Sequence, residues 1–237
     1  MSDVTVKGLG VKFGERKVFE GFDITFDEHR INVVLGASGV GKTTLLNAIA
    51  GLVPFEGTIS GAEGGISYIF QKDRLIPTIS VYKNLDLVLR SAVADKNERK
   101  ERIDEILARL EVLSERDKYP TELSGGQAQR ISMARAFLYP SEVLLMDEPF
   151  RALDLGLKTR LIAQLDGLLA SSPRTVIFVT HDVEECLWAA DGYTVLDGAP
   201  ARIVLSRVSD IPRAERRADD SAIVMARTEL IDTLSRV

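Results

Sequence analysis

A glycine-rich loop between a predicted buried strand and a predicted helix constrains this chain more than any other feature. Residues 31–35 form an apolar run interrupted by Asn32, residues 36–43 read Gly-Ala-Ser-Gly-Val-Gly-Lys-Thr, and residues 44–51 follow a helical pattern. Glycines let the backbone curl so that its N–H groups converge, and the helix adds its positive N-terminal end. This order of strand, glycine loop and helix is that of a phosphate-binding loop, and it predicts an α/β fold.

The loop also predicts which residues contact a nucleotide. We expect Lys42 to reach the β- and γ-phosphates and the hydroxyl of Thr43 to bind Mg²⁺. The predicted nucleotide-contacting residues are Gly36, Ala37, Ser38, Gly39, Val40, Gly41, Lys42, Thr43 and Thr44. This motif alone indicates a nucleoside triphosphate and does not name the reaction.

A second short motif places two carboxylates at the end of a predicted strand. Residues 143–146 are apolar and are followed by Asp147, Glu148 and Pro149. Open α/β sheets bind ligands at the carboxyl ends of their strands. We therefore expect Asp147 to hold Mg²⁺ and Glu148 to act as the general base that polarises an attacking water.

Composition excludes several classes of protein. The balance of 45% hydrophobic and 27% charged residues over 237 residues suits a folded domain with a real core. A formal net charge of −5 disfavours a general nucleic-acid binder, which needs a basic face. The single cysteine, Cys186, cannot form an internal disulfide, and neither a bilayer-spanning stretch nor an apolar signal core is present. We expect a cytosolic protein without a nucleic-acid partner, whose membrane role depends on another chain.

Residues 78–139 are interpreted as a helical insert. Apolar residues recur at helical spacing over 102–113, which predicts an amphipathic helix there. The charged run 95–102 is interpreted as the solvated approach to that helix. A second helix is predicted over 126–138.

The segments on either side of the insert predict the core. Alternating apolar residues within 4–26 predict short antiparallel strands. The apolar run 175–179 predicts a buried parallel strand, preceded by a helix over 155–170. We expect one domain over 1–237, in which 1–77 and 140–237 form the nucleotide-binding core and its β subdomain and 78–139 forms the helical subdomain.

Residues 123–127 read Leu-Ser-Gly-Gly-Gln and precede a predicted helix. A serine at a helix start makes a second anion-binding N-terminus, which one nucleotide does not need on the same chain. With this pentapeptide between the phosphate loop and the Asp-Glu strand, the sequence resembles the ATP-binding-cassette (ABC) family over nearly its whole length. The resemblance implies a P-loop NTPase (RecA-like) α/β core with an antiparallel β subdomain and an inserted α-helical subdomain.

The resemblance also implies further site residues. In the family, the pentapeptide is the signature motif, which contacts ATP held by the second subunit of a dimer. Gln71 resembles the Q-loop glutamine, and His181 resembles the switch histidine near the γ-phosphate. Phe13 resembles the aromatic that stacks on adenine, whereas Phe19 or Phe22 could be core residues in an imperfect register. The implied residues are Glu148, His181 and Gln71 for catalysis, Thr43, Gln71 and Asp147 for the metal, Ser124, Gly125, Gly126 and Gln127 for the signature, and Ala152, Leu153 and Asp154 for the D-loop.

Within the family, the sequence is most similar to importer subunits for nitrate, sulfonate, taurine and related solutes. The stretches that carry this closer similarity are 70–77, 146–154 and 178–185. Thr78, Arg151 and Cys186 depart from that group's pattern, and none of the three is expected to touch the ATP chemistry.

The resemblance implies a subunit that hydrolyses ATP with Mg²⁺ and drives a separate permease. The implied partners are integral membrane permease subunits, a second copy of this chain and a solute-binding protein. The implied location is the cytoplasmic face of the cell membrane, as a peripheral protein.

Three alternatives follow from the same motifs. An ABC ATPase outside transport would carry long coiled-coil or zinc-bearing insertions, which the short interval between loop and signature lacks. A P-loop kinase or GTPase would not need residues 123–127. A regulatory cassette without catalysis would have a broken Walker B motif, the strand end with Asp147, or a broken switch histidine, and both are intact.

Overall fold

The computed structural model describes residues 2–151, 153–170 and 173–236, which form two β-sheets with helices packed on them. The strands are β1 (Val4–Phe13), β2 (Arg16–Phe26), β3 (Ile31–Gly36), β4 (Glu56–Ser60), β5 (Ile66–Ile69), β6 (Val143–Asp147), β7 (Thr175–Val179), β8 (Gly192–Asp197) and β9 (Arg202–Val208). The α-helices are α1 (Lys42–Ile49), α2 (Val81–Leu89), α3 (Lys96–Arg109), α4 (Gly125–Leu138), α5 (Leu155–Ala170), α6 (Val183–Ala189) and α7 (Ser221–Ser235). Within these described ranges, no helix is long and apolar enough to cross a bilayer.

The larger sheet has six strands in the order β5-β6-β7-β3-β8-β9. All neighbouring pairs are parallel except β8 and β9. Every residue of β3, β6 and β7 is buried, as expected for parallel strands covered on both faces. Val34 of β3 and Asp147 of β6 both pair with Val179 of β7, so the carboxyl ends of these strands meet at one edge.

The two faces of this sheet bury separate apolar clusters. Val33 of β3 packs with the helices that follow β5, whereas Val34 packs with α1 and the smaller sheet. Because successive strand residues point to opposite faces, the apolar residues of β3 supply both clusters. The predicted mixed α/β fold with a parallel central sheet is confirmed.

The smaller sheet is antiparallel, with strand order β2-β1-β4. Its first two strands are longer than the short strands predicted, at 10 and 11 residues. Register shifts interrupt the pairing, which explains why the alternation in the sequence is imperfect. The β1–β2 hairpin ends where Phe13 pairs with Arg16.

The segment 78–139 contains α2, α3 and α4, and the helix predicted at 102–113 is wrong at both ends. α3 begins at Lys96 because Asp95 caps it: Asp95 Oδ1 accepts a hydrogen bond from the Glu98 amide at 2.8 Å. The charged run is therefore the first half of the helix, since Lys, Glu and Arg are good helix formers. The helix ends at Arg109, and Glu111 then adopts a φ of +57°, which a helix cannot contain.

A buried carboxylate joins α2 to α3. Asp86 is 5% exposed and accepts hydrogen bonds from Arg90 Nε at 2.8 Å and from Arg99 Nε at 2.6 Å. Burial raises the pKa of Asp86, but the two guanidinium groups outweigh it and hold the pKa below its usual value. Arg99, from the charged run, thus docks the start of α3 against α2.

Replacing Asp86 with Ala is expected to lower the free energy of unfolding by about 3 kcal/mol, because it leaves a largely buried guanidinium without its carboxylate. Urea denaturation followed by circular dichroism measures the change. Glu105→Ala is the matched control, because Glu105 is exposed on α3 and its loss should cost less than about 0.5 kcal/mol. Equal losses in the two variants would contradict this account.

Candidate nucleotide-binding site

The phosphate loop connects β3 to α1, and two of its glycines lie where the surrounding atoms leave no room for a side chain. Gly41 has a φ of +119°, and a Cβ there would lie 2.7 Å from Val18 Cγ1 of β2. A Cβ at Gly36 would lie 2.5 Å from the carbonyl oxygen of Leu196 of β8. The loop is therefore clamped between the two sheets, and its glycines are required by close approach as well as by backbone conformation.

Lys42 lies inside the loop at the first position of α1. It is 7% exposed, and its Nζ donates to the carbonyl oxygens of Gly36 at 2.6 Å and Ala37 at 3.0 Å. Burial lowers the pKa of Lys42, and the carboxylates of Glu148 and Asp147 act against that shift. The loop's own carbonyls thus hold the ammonium at the centre of the cradle.

The hydroxyl of Thr43 meets the carboxylate of Asp147, which ends β6. Thr43 Oγ1 lies 3.1 Å from Asp147 Oδ1 and 3.0 Å from Oδ2. Burial raises the pKa of Asp147, which is 3% exposed, and the hydrogen bond from Thr43 opposes that shift. A hydroxyl and a carboxylate that converge in this way are hard oxygen ligands of the kind that Mg²⁺ prefers.

The fit to Mg²⁺ also depends on how few metal ligands the protein itself supplies. In the part of the chain that the structure describes, no group of three or more histidine, cysteine or carboxylate side chains could hold a metal ion. Mg²⁺ is usually bound through one or two protein ligands, with phosphate oxygens and waters completing its shell. The donor set of Thr43 and Asp147 therefore suits Mg²⁺ that arrives with a nucleotide.

Two of the predicted residues converge on the carboxylate of a third. Gln71 Nε2 donates to Glu148 Oε2 at 3.2 Å, and His181 Nδ1 lies 3.1 Å from Glu148 Oε1. Gln71, Glu148 and His181 come just after β5, β6 and β7, which are adjacent in the sheet. Parallel strand order thus brings together residues that lie 33 and 77 positions from Glu148 in the sequence.

The backbone of Glu148 is held in an unusual conformation. Its φ is +48°, which costs a residue with a side chain about 1–2 kcal/mol. Its amide donates to the Val179 carbonyl at 3.0 Å, and its carbonyl accepts from Gln129 Nε2 at 3.2 Å. Gln129 lies on α4 and is 3% exposed, so a buried amide of the helical segment holds the backbone of Glu148. The sequence analysis assigned Gln129 no role, and a glutamine within a helix carries no distinctive local signal.

Arg151, which was expected to lie apart from the ATP chemistry, contacts one of the residues predicted to be catalytic. Arg151 Nη1 is 3.4 Å from Glu148 Oε2. The turn after β6 explains the contact: the Arg151 amide donates to the Glu148 carbonyl at 3.3 Å, and the fully buried Phe150 anchors that turn. Of the other two departures, Thr78 is exposed and Cys186 is buried in α6.

A cleft of about 370 Å³ lies beside the loop. Its lining residues are Phe13, Arg16, Val18, Ser38, Gly39, Gly41, Lys42, Thr43, Thr44, Gln71 and Glu148. Phe13 is 53% exposed at its rim, whereas Phe19 and Phe22 are buried in the core. Gly36 and Val40, also predicted to contact nucleotide, are buried and are not among the residues that line this cleft.

Arg16 is a second residue that the sequence analysis missed. Its Nη2 donates to the Gly39 carbonyl of the loop at 2.8 Å, which joins the β1–β2 hairpin to the cradle. Its pairing with Phe13 at the end of that hairpin becomes visible only with the strand register.

The predicted signature residues form the start of α4. Ser124 Oγ accepts from the Gln127 amide at 3.3 Å, and Gln127 Oε1 accepts from the Ser124 amide at 2.8 Å, which is a capping box. Ser124 and Gly125 are exposed, and Gly126 is partly so. Among the described residues that line the cleft, none belongs to 124–127. The structure thus presents this helix end on the surface, apart from the cradle of its own chain.

The predicted D-loop begins α5. Ala152 lies outside the described residues. Asp154 Oδ1 accepts from the Leu157 amide at 3.0 Å, and the Asp154 carbonyl accepts from the Lys158 amide at 2.9 Å, so Asp154 caps the helix.

Gly41→Ala is expected to weaken ATP binding roughly 10-fold or more, because the strained φ and the contact with Val18 would distort the loop. Isothermal titration calorimetry with ATP measures the affinity. Gly167→Ala is the control, since Gly167 lies in α5 with no neighbouring atom within 4 Å of the new Cβ. An unchanged affinity in Gly41→Ala would contradict the role of the loop.

Comparison with known proteins identifies relatives of the whole chain. Residues 19–151 match the family described as ABC transporter. An aliphatic sulfonates import ATP-binding protein of Rhodococcus jostii is 38% identical over 234 residues, covering 96% of this chain and 91% of that protein. A taurine import ATP-binding protein of Escherichia coli O157:H7 is 35% identical over 209 residues, covering 84% of this chain and 81% of that protein.

Solved structures give the same result for the fold. The dimeric structure of an ATP-binding cassette in a post-hydrolysis state, bound to ADP and Pi, superposes with a TM-score of 0.78 at 25% identity. It covers 86% of this chain and 98% of that one. An ATP-binding subunit of an ABC transporter, at 21% identity, shares the fold with a TM-score of 0.79 over 96% of this chain and 99% of its own.

Proposed function

This chain belongs to the ABC transporter family, and from that membership we propose that it powers an importer of small sulfonate-like solutes. Binding and hydrolysis of ATP come with the family. The observation that carries the proposal at the level of residues is the convergence of Gln71 and His181 on Glu148 beside the phosphate loop. The solute class follows the relatives named for aliphatic sulfonates and taurine.

We assign the phosphates of ATP to the loop. The glycine-rich backbone presents its N–H groups, and Lys42 supplies positive charge at the β- and γ-phosphates. The cleft extends from the loop to Phe13, which is exposed at the rim and available to stack on adenine. Ser38, Gly39, Thr43 and Thr44 line the cleft between them.

Mg²⁺ would be held by Thr43 and Asp147, with Gln71 beside them. Thr43 and Asp147 already place their oxygens within 3.1 Å of one another. When bound, Mg²⁺ neutralises charge on the phosphate oxygens.

Glu148 is proposed as the general base that accepts a proton from the water attacking the γ-phosphorus. His181 and Gln71 each hold one of its carboxylate oxygens and so fix the plane of the carboxylate. The hydrogen bonds from Gln129 and to Val179 keep its backbone in the strained conformation that points the side chain there. These contacts preorganise the base before substrate binds.

We propose that two copies of the chain form the working unit. The helix start at Ser124 is exposed and capped by its own side chains, and it stays outside the cleft of its own protomer. Such a helix start binds anions. We propose, from the family resemblance, that a second copy places it against the γ-phosphate of ATP in the facing cleft. A solved relative is described as a dimer.

Glu148→Gln tests the assignment of the base. Hydrolysis is expected to fall about 10²–10⁴-fold, the usual effect of removing a general base, while ATP still binds. Phosphate release and ATP titration are measured in parallel. Glu101→Gln, an exposed glutamate on α3, is the matched control. Near-normal turnover in Glu148→Gln would overturn the assignment.

A permease is proposed to dock in a second groove, between the larger sheet and the helical segment. The groove has a volume of about 430 Å³ and is lined by Ala50, Leu52, Ile66, Ser67, Tyr68, Phe70, Arg74, Val88, Arg135, Ala136 and Tyr139. Its floor is aromatic: the rings of Tyr68 and Phe70 stack at 3.9 Å, and the guanidinium of Arg74 lies 3.8 Å above Phe70. An amphipathic helix in a groove of this kind is a common mode of recognition.

The groove is connected to the catalytic site through one loop. Arg135 of α4 donates to the carbonyls of Arg74 at 2.7 Å and Asp73 at 2.9 Å. Gln71 lies in the same loop, one residue after Phe70, and bonds to Glu148. A helix that displaces Phe70 or Arg74 would therefore move a group that holds the base. We propose that the chain works at the cytoplasmic face of the membrane with a solute-binding protein as the third component. Relatives named as import ATP-binding proteins support this proposal.

Leu52→Arg tests the docking groove. Leu52 is 53% exposed in the groove, and a charged side chain there should oppose an apolar helix face. The amount of chain that co-purifies with its permease from solubilised membranes is expected to fall at least about 10-fold, equivalent to 1.4 kcal/mol of binding. Met225→Arg, at an apolar residue on α7 that is 71% exposed, is the control. Unaltered co-purification of Leu52→Arg would reject this surface.

A further inference from the structure

A largely buried ionic network lies between the first turn of α5 and the segment that carries His181. Lys158 Nζ is 2.8 Å from Asp182 Oδ2 and 2.7 Å from Glu185 Oε1. The side chains of Lys158 and Glu185 are 17% and 4% exposed. None of the three residues lines the cleft around the phosphate loop.

The partners of Lys158 fix the backbone on both sides of His181. Thr180 Oγ1 donates to Glu185 Oε2 at 2.6 Å and accepts from the Asp182 amide at 3.1 Å. Asp182 Oδ1 also caps α6, accepting from the Glu184 amide at 2.8 Å. The imidazole of His181 is itself 60% exposed, so its position depends on these neighbours more than on packing of its ring.

The other end of the network is the predicted D-loop. The Lys158 amide donates to the Asp154 carbonyl at 2.9 Å, one helical turn earlier. Asp154 in turn caps α5 through the Leu157 amide. A continuous set of contacts therefore runs from Asp154 through Lys158 to the residues beside His181.

The ammonium of Lys158 and the carboxylates of Asp182 and Glu185 stabilise one another's charged forms. Burial lowers the pKa of Lys158, but the two carboxylates outweigh it and raise that pKa above its usual value. Burial raises the pKa of Asp182, and the bond from Lys158 with the capping amides brings it below its usual value. One ammonium thus serves two carboxylates, and its loss would leave both without a cation.

We propose that Lys158 is a positioning residue for ATP hydrolysis, which sets His181 against Glu148 and ties that placement to the start of α5. The proposal rests on the function proposed above for His181 and names the residue that places it. By the family resemblance, Asp154 belongs to the D-loop, the segment that crosses the dimer interface in ABC proteins. A shift of α5 on dimer closure would reach His181 through a single side chain.

Lys158→Met tests the proposal, because it removes the ammonium and keeps a side chain of similar length. The kcat for ATP is expected to fall roughly 10- to 100-fold, as small misplacements of catalytic groups do. The KM for ATP should change less than about 2-fold, because Lys158 does not line the cleft. Lys158→Arg keeps the charge and should restore most of the kcat. Lys100→Met, an exposed lysine on α3, is the matched control.

A double-mutant cycle with His181→Ala separates positioning from general damage. Single-turnover hydrolysis of labelled ATP resolves the low rates. If Lys158 acts through His181, adding Lys158→Met to His181→Ala lowers the rate less than about 2-fold further. Multiplicative losses, or an unaltered kcat in Lys158→Met alone, would overturn the proposal.

The same cycle distinguishes failure of the proposal from failure of the proposed function. Wild-type turnover in His181→Ala would remove the role of the histidine itself, whereas an impaired His181→Ala with multiplicative losses would remove only the role of Lys158. Lys158→Gln keeps a hydrogen-bond donor and passes through the same cycle if Lys158→Met does not fold. Circular dichroism at the assay temperature confirms that each variant is folded.

Discussion

The parallel pairing of β5, β6, β7 and β3 decides where the phosphate loop and four polar residues of the nucleotide site lie. Each strand delivers the residues at its carboxyl end to the same edge: Gln71 after β5, Asp147 and Glu148 at the end of β6, His181 after β7, and the phosphate loop after β3. The strands themselves are buried on both faces, so this edge is where polar side chains of the sheet can meet a ligand. A slip of one register step would move the carboxylate of Glu148 away from both of its partners.

Glu148 is also where the helical segment reaches the sheet. Its positive φ is held by a hydrogen bond to β7 and by Gln129 of α4, the helix whose exposed end carries the signature residues. The same helix holds the Gln71 loop through Arg135. One helix thus contacts the proposed general base and the loop beside the proposed docking groove, and its exposed end is the surface proposed to meet the second copy. Movement of α4 relative to the sheet would change all three together, which is how an ABC ATPase could couple nucleotide to permease.

Arg151 and α3 show where local reasoning was insufficient. The charged run 95–102 looked like solvated chain because it lacks apolar periodicity, yet Asp95 caps it and Arg99 docks on the buried Asp86. Arg151 looked like a departure from the importer group's pattern that would not touch the ATP chemistry. The turn anchored by Phe150 nevertheless folds its guanidinium back towards Glu148. In both cases a charged side chain has a partner supplied by a different element or by a turn, and hydrophobic pattern carries no record of such partners.

The sequence by itself determined the family, the α/β class and the positions of the nucleotide motifs, because each motif is a local requirement. Gly41 needs its positive φ, Lys42 its place at a helix start, and Asp147 its place at the end of an apolar strand, whatever lies elsewhere in the chain. Only the tertiary structure decided which side chains touch: Arg16 with the loop, Gln129 with Glu148, and Lys158 with the segment of His181. The roles of these residues stay predictions. Their contacts join residues 19 to 24 positions apart through strand register and helix packing, and those are properties of the folded chain.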